Sequence, residues 1–155
     1  MSSQEVYIKK ANRLAFQATQ KGNHPFGALL VHKDKIILEA ENTVNTDEDF
    51  TRHAELNLLV EATKKYSKDI LSEATIYAST SPCLMCSYAI WESGIRSVVY
   101  GVSYETKSTL LGRNSFISIE KVFELLDTPL GSVGGVLEKE CLETYKHWPQ
   151  MEKKN

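Results

Sequence analysis

Hydrophobic and polar positions alternate along this chain in a way that predicts an alternating series of helices and strands. Val6, Ala11, Leu14, Ala15 and Ala18 recur near helical spacing, and Gly22 follows them, so residues 4–20 are expected to form a helix. Phe26–Val31 and Ile36–Ala40 are short apolar runs joined by the polar His32-Lys33-Asp34-Lys35, a pattern that predicts a β-hairpin. Asn42–Thr51 is rich in Asp, Asn and Thr and reads as a loop. Thr51 is placed to cap a helix over residues 52–66, whose apolar face is Ala54, Leu58, Leu59 and Ala62. Ala74–Ala78 reads as a strand, Ser79–Pro82 as a turn, and residues 83–93 as a helix stopped by Gly94. Ser97–Tyr100 reads as a further strand. Residues 104–130 give a mixed signal, with a helix expected at 119–126 ahead of Pro129. Val133–Leu137 is expected as a last strand and Glu138–His147 as a terminal helix before Pro149. Strands alternating with helices after an initial hairpin imply a layered α/β domain with a mixed sheet.

Composition narrows this picture. At 155 residues, with no internal repeat, low-complexity tract or Pro/Gly/Ser-rich linker, the chain is expected to be one domain spanning residues 1–155. No apolar run approaches the roughly 20 residues that a membrane helix needs, so no membrane partner is expected. The N-terminus lacks an apolar run of signal-peptide type, and the cytoplasm is the expected compartment. Formal net charge is −2, and the densest basic run is Lys153-Lys154. A polyanion-binding protein usually carries a basic face, so a small substrate is expected rather than a nucleic acid. Three cysteines, two of them at C-x-x-C spacing, suit metal or redox chemistry better than a disulfide framework.

Two short motifs carry the candidate chemistry. His53-Ala54-Glu55 falls near the start of one expected helix, and Pro82-Cys83-Leu84-Met85-Cys86 falls between a strand and another helix. A catalytic zinc takes three protein ligands and leaves the fourth position to water, and His53, Cys83 and Cys86 meet that count. The C-x-x-C spacing puts both sulfurs at a helix N-terminus, where the dipole favours thiolates. Glu55, two residues beyond His53, points differently and can reach a metal-bound water without ligating, which suits it to move a proton to a leaving amine. Two other readings remain open from the residues alone. A redox C-x-x-C pair would leave His53-Ala54-Glu55 without a role. A closed structural zinc site would need a fourth ligand from Cys141, His24, His32 or His147. Cys141 reads more simply as a small buried side chain, and the three histidines as solvated or locally bonded.

H-x-E followed by P-C-x-x-C resembles the signature of the zinc nucleobase deaminases, the cytidine deaminase-like superfamily. Pro25-Phe26-Gly27-Ala28, Glu41-Asn42 and Ser79–Cys86 extend the likeness, which covers about residues 4–145. The resemblance implies a three-layer α/β/α fold with a five-stranded mixed sheet, one zinc per chain and a homodimer or larger assembly. It implies that His53, Cys83 and Cys86 bind the metal and that Glu55 is the general acid/base. It also implies that Ala54, Ser81, Pro82 and Phe26 line the substrate pocket, that Asn42 bonds the substrate, and that His53 stacks on its ring.

Within the superfamily the chain is most similar to the guanine deaminase-like and bacterial nucleoside deaminase branch, on Ala40-Glu41-Asn42-Thr43-Val44 and Ser115-Phe116 as well as the first strand. Guanine deaminases have acidic residues before the Ser-Phe pair, where this chain has Arg113-Asn114. Asn114 offers both a donor and an acceptor and is a candidate substrate contact. A guanine or purine-type base or nucleoside is the favoured substrate. Cytosine and a tRNA adenosine are the alternatives, and Phe26 and the acidic net charge speak against the RNA. Tyr88 and Trp91 share a helix face and read as core or interface, and Tyr145, His147 and Trp148 are candidates to close the pocket.

Overall fold

A computed structural model describes residues 1–148, so Pro149 and the Lys153-Lys154 tail lie outside the described residues. Within them, five strands form one mixed sheet in the order β2-β1-β3-β4-β5. The strands are β1 (Gly27–His32), β2 (Lys35–Glu41), β3 (Thr75–Thr80), β4 (Ser97–Val102) and β5 (Gly131–Val133). β1 runs antiparallel to both β2 and β3, whereas β3, β4 and β5 are parallel. Helix α1 (Ser3–Gln20) and α7 (Glu138–Thr144) cover one face, and α2 (Ala54–Lys65), α3 (Lys68–Glu73), α4 (Leu84–Ser93) and α6 (Ile119–Leu125) cover the other. The expected three-layer α/β/α arrangement is therefore the observed one.

Burial on both faces explains why β1 reads as an unbroken apolar run. Ala28 and Leu30 pack with Leu58, Ile76, Ile90 and Phe123 under α2, α4 and α6. Leu29 and Val31 point the other way and pack with Ile8, Ala11, Tyr77 and Val99 under α1. The β1–β2 connection is a two-residue turn with positive φ at Lys33 (50°) and Asp34 (62°), the geometry that matches the twist of a hairpin.

Several elements differ from expectation for local reasons. Thr51 does not cap α2, because its hydroxyl bonds Asp49 Oδ1 at 2.6 Å inside the preceding loop. The N-cap is His53, whose side chain makes no cap bond. Residues 68–73 and 104–110 form two short helices, α3 and α5 (Tyr104–Leu110), nucleated by the caps Ser67 and Ser103, whose hydroxyls accept from the N–H of Ile70 and Thr106. The last strand is Gly131–Val133 rather than Val133–Leu137. Gly134 lies flat against the Tyr100 ring, where a Cβ would come within 2.4 Å, and Gly135 has φ +80°, so the ladder ends there. The terminal helix is α7 followed by a 3₁₀ turn at Tyr145–His147.

This topology gathers several chain segments at one end of the sheet. β3 and β4 finish there, β1 starts there, and β2 returns there, with Gly27 opposite Glu41 and Thr80 opposite Val102. Loops after parallel strands are where α/β sheets hold ligands. The approach of α1 to β1 at this end needs Gly27, since a Cβ would lie 2.2 Å from the Ala11 carbonyl oxygen and 2.7 Å from Leu14 Cβ. Gly27→Ala is expected to destabilise the fold by about 1–3 kcal/mol. Thermal unfolding should then show Tm lower by about 2–12 °C, and an unchanged Tm would contradict this packing.

Candidate metal centre and active-site cleft

α2 and α4 both begin at this end of the sheet, and their first residues carry the chemistry. Most of the other helices start on a serine whose hydroxyl accepts from a backbone N–H of the first turn: Ser2, Ser67, Ser103 and Ser118. α2 and α4 start instead on His53 and Cys83, and neither side chain caps its helix. Losing such a cap costs about 1 kcal/mol, and it leaves both side chains free to turn towards each other. His53 Nδ1 lies 3.5 Å from Cys83 Sγ and 3.6 Å from Cys86 Sγ.

These distances match zinc. Tetrahedral bonds of about 2.3 Å to sulfur and about 2.0–2.1 Å to nitrogen put S and N about 3.6 Å apart. The three ligand atoms lie within 4.8 Å of one another, and no fourth His, Cys, Asp or Glu joins the group among the described residues. Cys141 is buried on the opposite face of the sheet with Ile8 and Val102. His32 faces Glu73 at 3.0 Å, and His147 packs edge-on against Phe16 at 5.2 Å. The described residues therefore offer a three-ligand site that leaves one position for water, as a catalytic zinc requires.

Protonation at the site follows from these contacts. Hydrogen bonding from Cys86, then the neighbouring His53, holds the Cys83 pKa down to about 4 despite burial, which favours the thiolate there. Cys86 is pushed the other way, first by sharing its proton with Cys83 and then by burial. The bond to Cys83 raises His53. Zinc uptake by this set requires the Cys86 proton to leave. Glu55 is 5% exposed, and burial, followed by the charge of Cys83, raises its pKa. A carboxyl group poised in this way can both take and return a proton.

Glu55 shares a small inner pocket with Phe26, His53, Thr80, Ser81 and Cys83. The pocket measures about 10 Å³, roughly what one water needs. It adjoins a wider cleft of about 480 Å³, within the range of small-molecule sites. Phe26 belongs to both, and Tyr145 and Trp148 hold it edge-on at 5.9 and 5.3 Å. Tyr145 in turn bonds Thr80 Oγ1 at 2.5 Å. Trp148 lines the cleft, whereas Tyr145 and His147 do not.

The remaining sequence candidates fall in different places. Asn42 is 0% exposed, and its Oδ1 accepts from the N–H of His24 at 3.3 Å and of Val44 at 3.0 Å. Its Nδ2 has no partner among the described residues, nor does Ser81 Oγ; Ser81 lines the inner pocket, whereas Asn42 lines neither that pocket nor the cleft. Ala54 is buried in the first turn of α2, and the Pro82 carbonyl accepts from Ser87 Oγ at 3.3 Å. Asn114 is exposed and outside the cleft lining, while its neighbour Arg113 is part of it. Tyr88 is exposed beside an apolar groove with Leu59 and Val60, and Trp91 is half-buried and donates to Thr128 Oγ1 at 2.9 Å. Sequence reasoning missed Lys107, which lines both pockets from α5, and the cleft position of His24. The mixed signal of residues 104–130 hid the helix that aims Lys107.

The reactive and inert thiols give a direct check. Burial pushes the Cys141 pKa up to about 12. In metal-free folded protein at pH 7.5, iodoacetamide should label Cys83, with Cys141 slower by more than about 10³-fold until the chain is unfolded. Peptide mass spectrometry showing equal native labelling would contradict the assignment.

Comparison with known proteins agrees with this geometry. The family model for the cytidine and deoxycytidylate deaminase zinc-binding region matches residues 1–102. A probable cytosine deaminase of Schizosaccharomyces pombe is 34% identical, over 94% of this chain and 96% of its own length. A tRNA-specific adenosine deaminase of Bacillus subtilis is 35% identical, over 91% of this chain and 85% of its own. Among solved structures, a guanine deaminase from Nitrosomonas europaea superposes with a TM-score of 0.75 at 22% identity, over 92% of this chain and 83% of that one. With ligand geometry and family model in agreement, the chain belongs to the cytidine and deoxycytidylate deaminase family, an enzyme family that binds zinc and cleaves C–N bonds by hydrolysis.

Proposed function

We propose that the chain hydrolyses the exocyclic amine of a nucleobase carried by a small substrate, releasing ammonia. The observation that carries this reading is the meeting of His53, Cys83 and Cys86 around a pocket that also contains the buried Glu55. Zinc held by these ligands would supply a Lewis acid that makes water nucleophilic near neutral pH. The Glu55 carboxylate would take a proton from the attacking water and return it to the amine nitrogen, so that the C–N bond breaks and ammonia leaves. Phe26 and the His53 ring would hold the base between them. Ser81 Oγ, without a partner among the described residues, would donate to an acceptor on its edge.

The choice of base turns on the cleft wall. A guanine edge presents the ring N1–H and the 2-amine, which need acceptors. The cleft outside Glu55 is lined by no carboxylate among the described residues and carries His24, Lys107 and Arg113. That wall favours a base whose edge presents acceptors, as cytosine does. Cytosine is therefore the second reading beside the purine expected from the sequence branch. The likeness to the S. pombe relative over nearly the whole chain supports it.

Glu55→Gln preserves size and removes the proton carrier. It is expected to keep about one zinc per chain and to lose about 10²–10⁴-fold in kcat. Metal analysis with an ammonia-release assay checks both halves. Normal turnover by the variant would contradict the proton role, and lost zinc would show that Glu55 holds the metal.

A further inference from the structure

One cation stands at the doorway between the inner pocket and the cleft, and proton transfer through Glu55 leaves it without a role. Lys107 lines the inner pocket with Glu55, Ser81 and Cys83, and it lines the outer cleft as well. Exposed lysines elsewhere, such as Lys10, Lys121 and Lys146, are matched by Glu39, Glu124 and Glu143. The half-buried Lys107 has no ion-pair partner among the described residues. Its Nζ rests instead 4.6 Å from the centre of the Phe26 ring and 5.1 Å from that of Tyr104. Ring faces attract an ammonium, but they do not replace the oxygen acceptors that its three N–H groups find in water. Burial lowers the Lys107 pKa, and the charges of Cys83 and Glu55 act the other way. Ser81 Oγ, also in the inner pocket, is a second polar group without a partner among the described residues. Enclosed donors in this state are costly unless a ligand completes them.

The position of Nζ over Phe26 indicates what completes it. Stacked rings keep their centres about 4.5–7 Å apart. An ammonium 4.6 Å from the Phe26 centre therefore stands at the height of a base stacked on that ring. It meets such a base at its edge, where carbonyl oxygens point, rather than at its face. Cytosine and guanine both carry an oxygen on the carbon that follows the ring nitrogen beside the amine-bearing carbon. Adenine has a C–H in that place. We propose that Lys107 is a specificity-determining residue whose ammonium donates to this ring carbonyl oxygen, so that the enzyme selects an oxo-base over adenine. Selection comes from both sides of the contact. The oxygen of the right base receives a charge-assisted hydrogen bond, and adenine would seal the ammonium away from water with nothing to accept from it.

This inference rests on the deaminase reading, and one experiment separates the two. Ammonia release by zinc-loaded protein is measured on cytosine, guanine and adenine, their nucleosides, the thio analogues of the two oxo-bases and their nucleosides, and a tRNA anticodon stem-loop. The thio analogues carry sulfur, a weak acceptor, in place of the ring carbonyl oxygen. Lys107→Met keeps the reach of the side chain and removes its donors and charge. It is expected to lower the kcat/KM ratio of oxo-base to thio analogue by about 10–100-fold, with zinc retained and Tm not lowered. A counter-charge for Cys83 would act on both members of a pair alike, so an unchanged ratio would overturn the carbonyl contact and leave the deaminase reading standing. Lost zinc or a lower Tm in the variant would assign Lys107 to the framework and overturn the contact too. Ammonia from adenine, adenosine or the stem-loop in preference to both oxo-bases would overturn the selection. Ammonia from no substrate would overturn both readings.

Discussion

The molecule turns on the contact of one imidazole nitrogen with two sulfurs, His53 Nδ1 with Cys83 and Cys86 at 3.5 and 3.6 Å. Two helices from different parts of the chain must start at the same point for this contact to exist. α2 is placed by its packing on β1 and β2, and α4 by the crossover from β3 to β4. Both helices forgo the serine cap used by most of the others, which costs about 1 kcal/mol each. The helix ends then contribute positive dipole where thiolate charge collects. Bound metal would offset the lost caps, coupling local stability to zinc.

Everything else at the site is arranged around that corner. Antiparallel β1 brings Phe26 beside the end of β3, and the bond from Ser81 N–H to the Val102 carbonyl at 2.7 Å ties the motif loop to β4. Burial behind the ligands leaves Glu55 in a small space where its pKa is raised. The far wall comes from the end of the described chain, where Tyr145 and Trp148 brace Phe26. Reaction corner and substrate wall are thus built from separate elements, and one can vary while the other stays fixed. Cytosine, adenosine and guanine deaminases among the similar proteins fit that division.

The sequence made the reaction corner legible because its signals are local. Cys83 and Cys86 are three residues apart on one helix turn, and His53 and Glu55 are two apart at another helix start. The hairpin and the doubly buried β1 were legible for the same reason. Lys107 and His24 were not, since what matters about them is a meeting across more than 80 residues of sequence at one cleft. Thr51 looked like a cap by residue type, but Asp49 competes for its hydroxyl. The last strand was misplaced because the crowding of Tyr100 against Gly134 is a tertiary contact. Arg113 and Asn114 are adjacent in sequence, yet only Arg113 lines the cleft, a distinction that side-chain chemistry alone does not make.

The metal's coordination is the most direct measure of this account. X-ray absorption at the zinc edge of the purified protein should fit two sulfurs at about 2.3 Å and two nitrogen or oxygen neighbours at about 2.0–2.1 Å, one from His53 and one from solvent. A shell with three or more sulfurs, or with none, would contradict a catalytic zinc held by His53, Cys83 and Cys86.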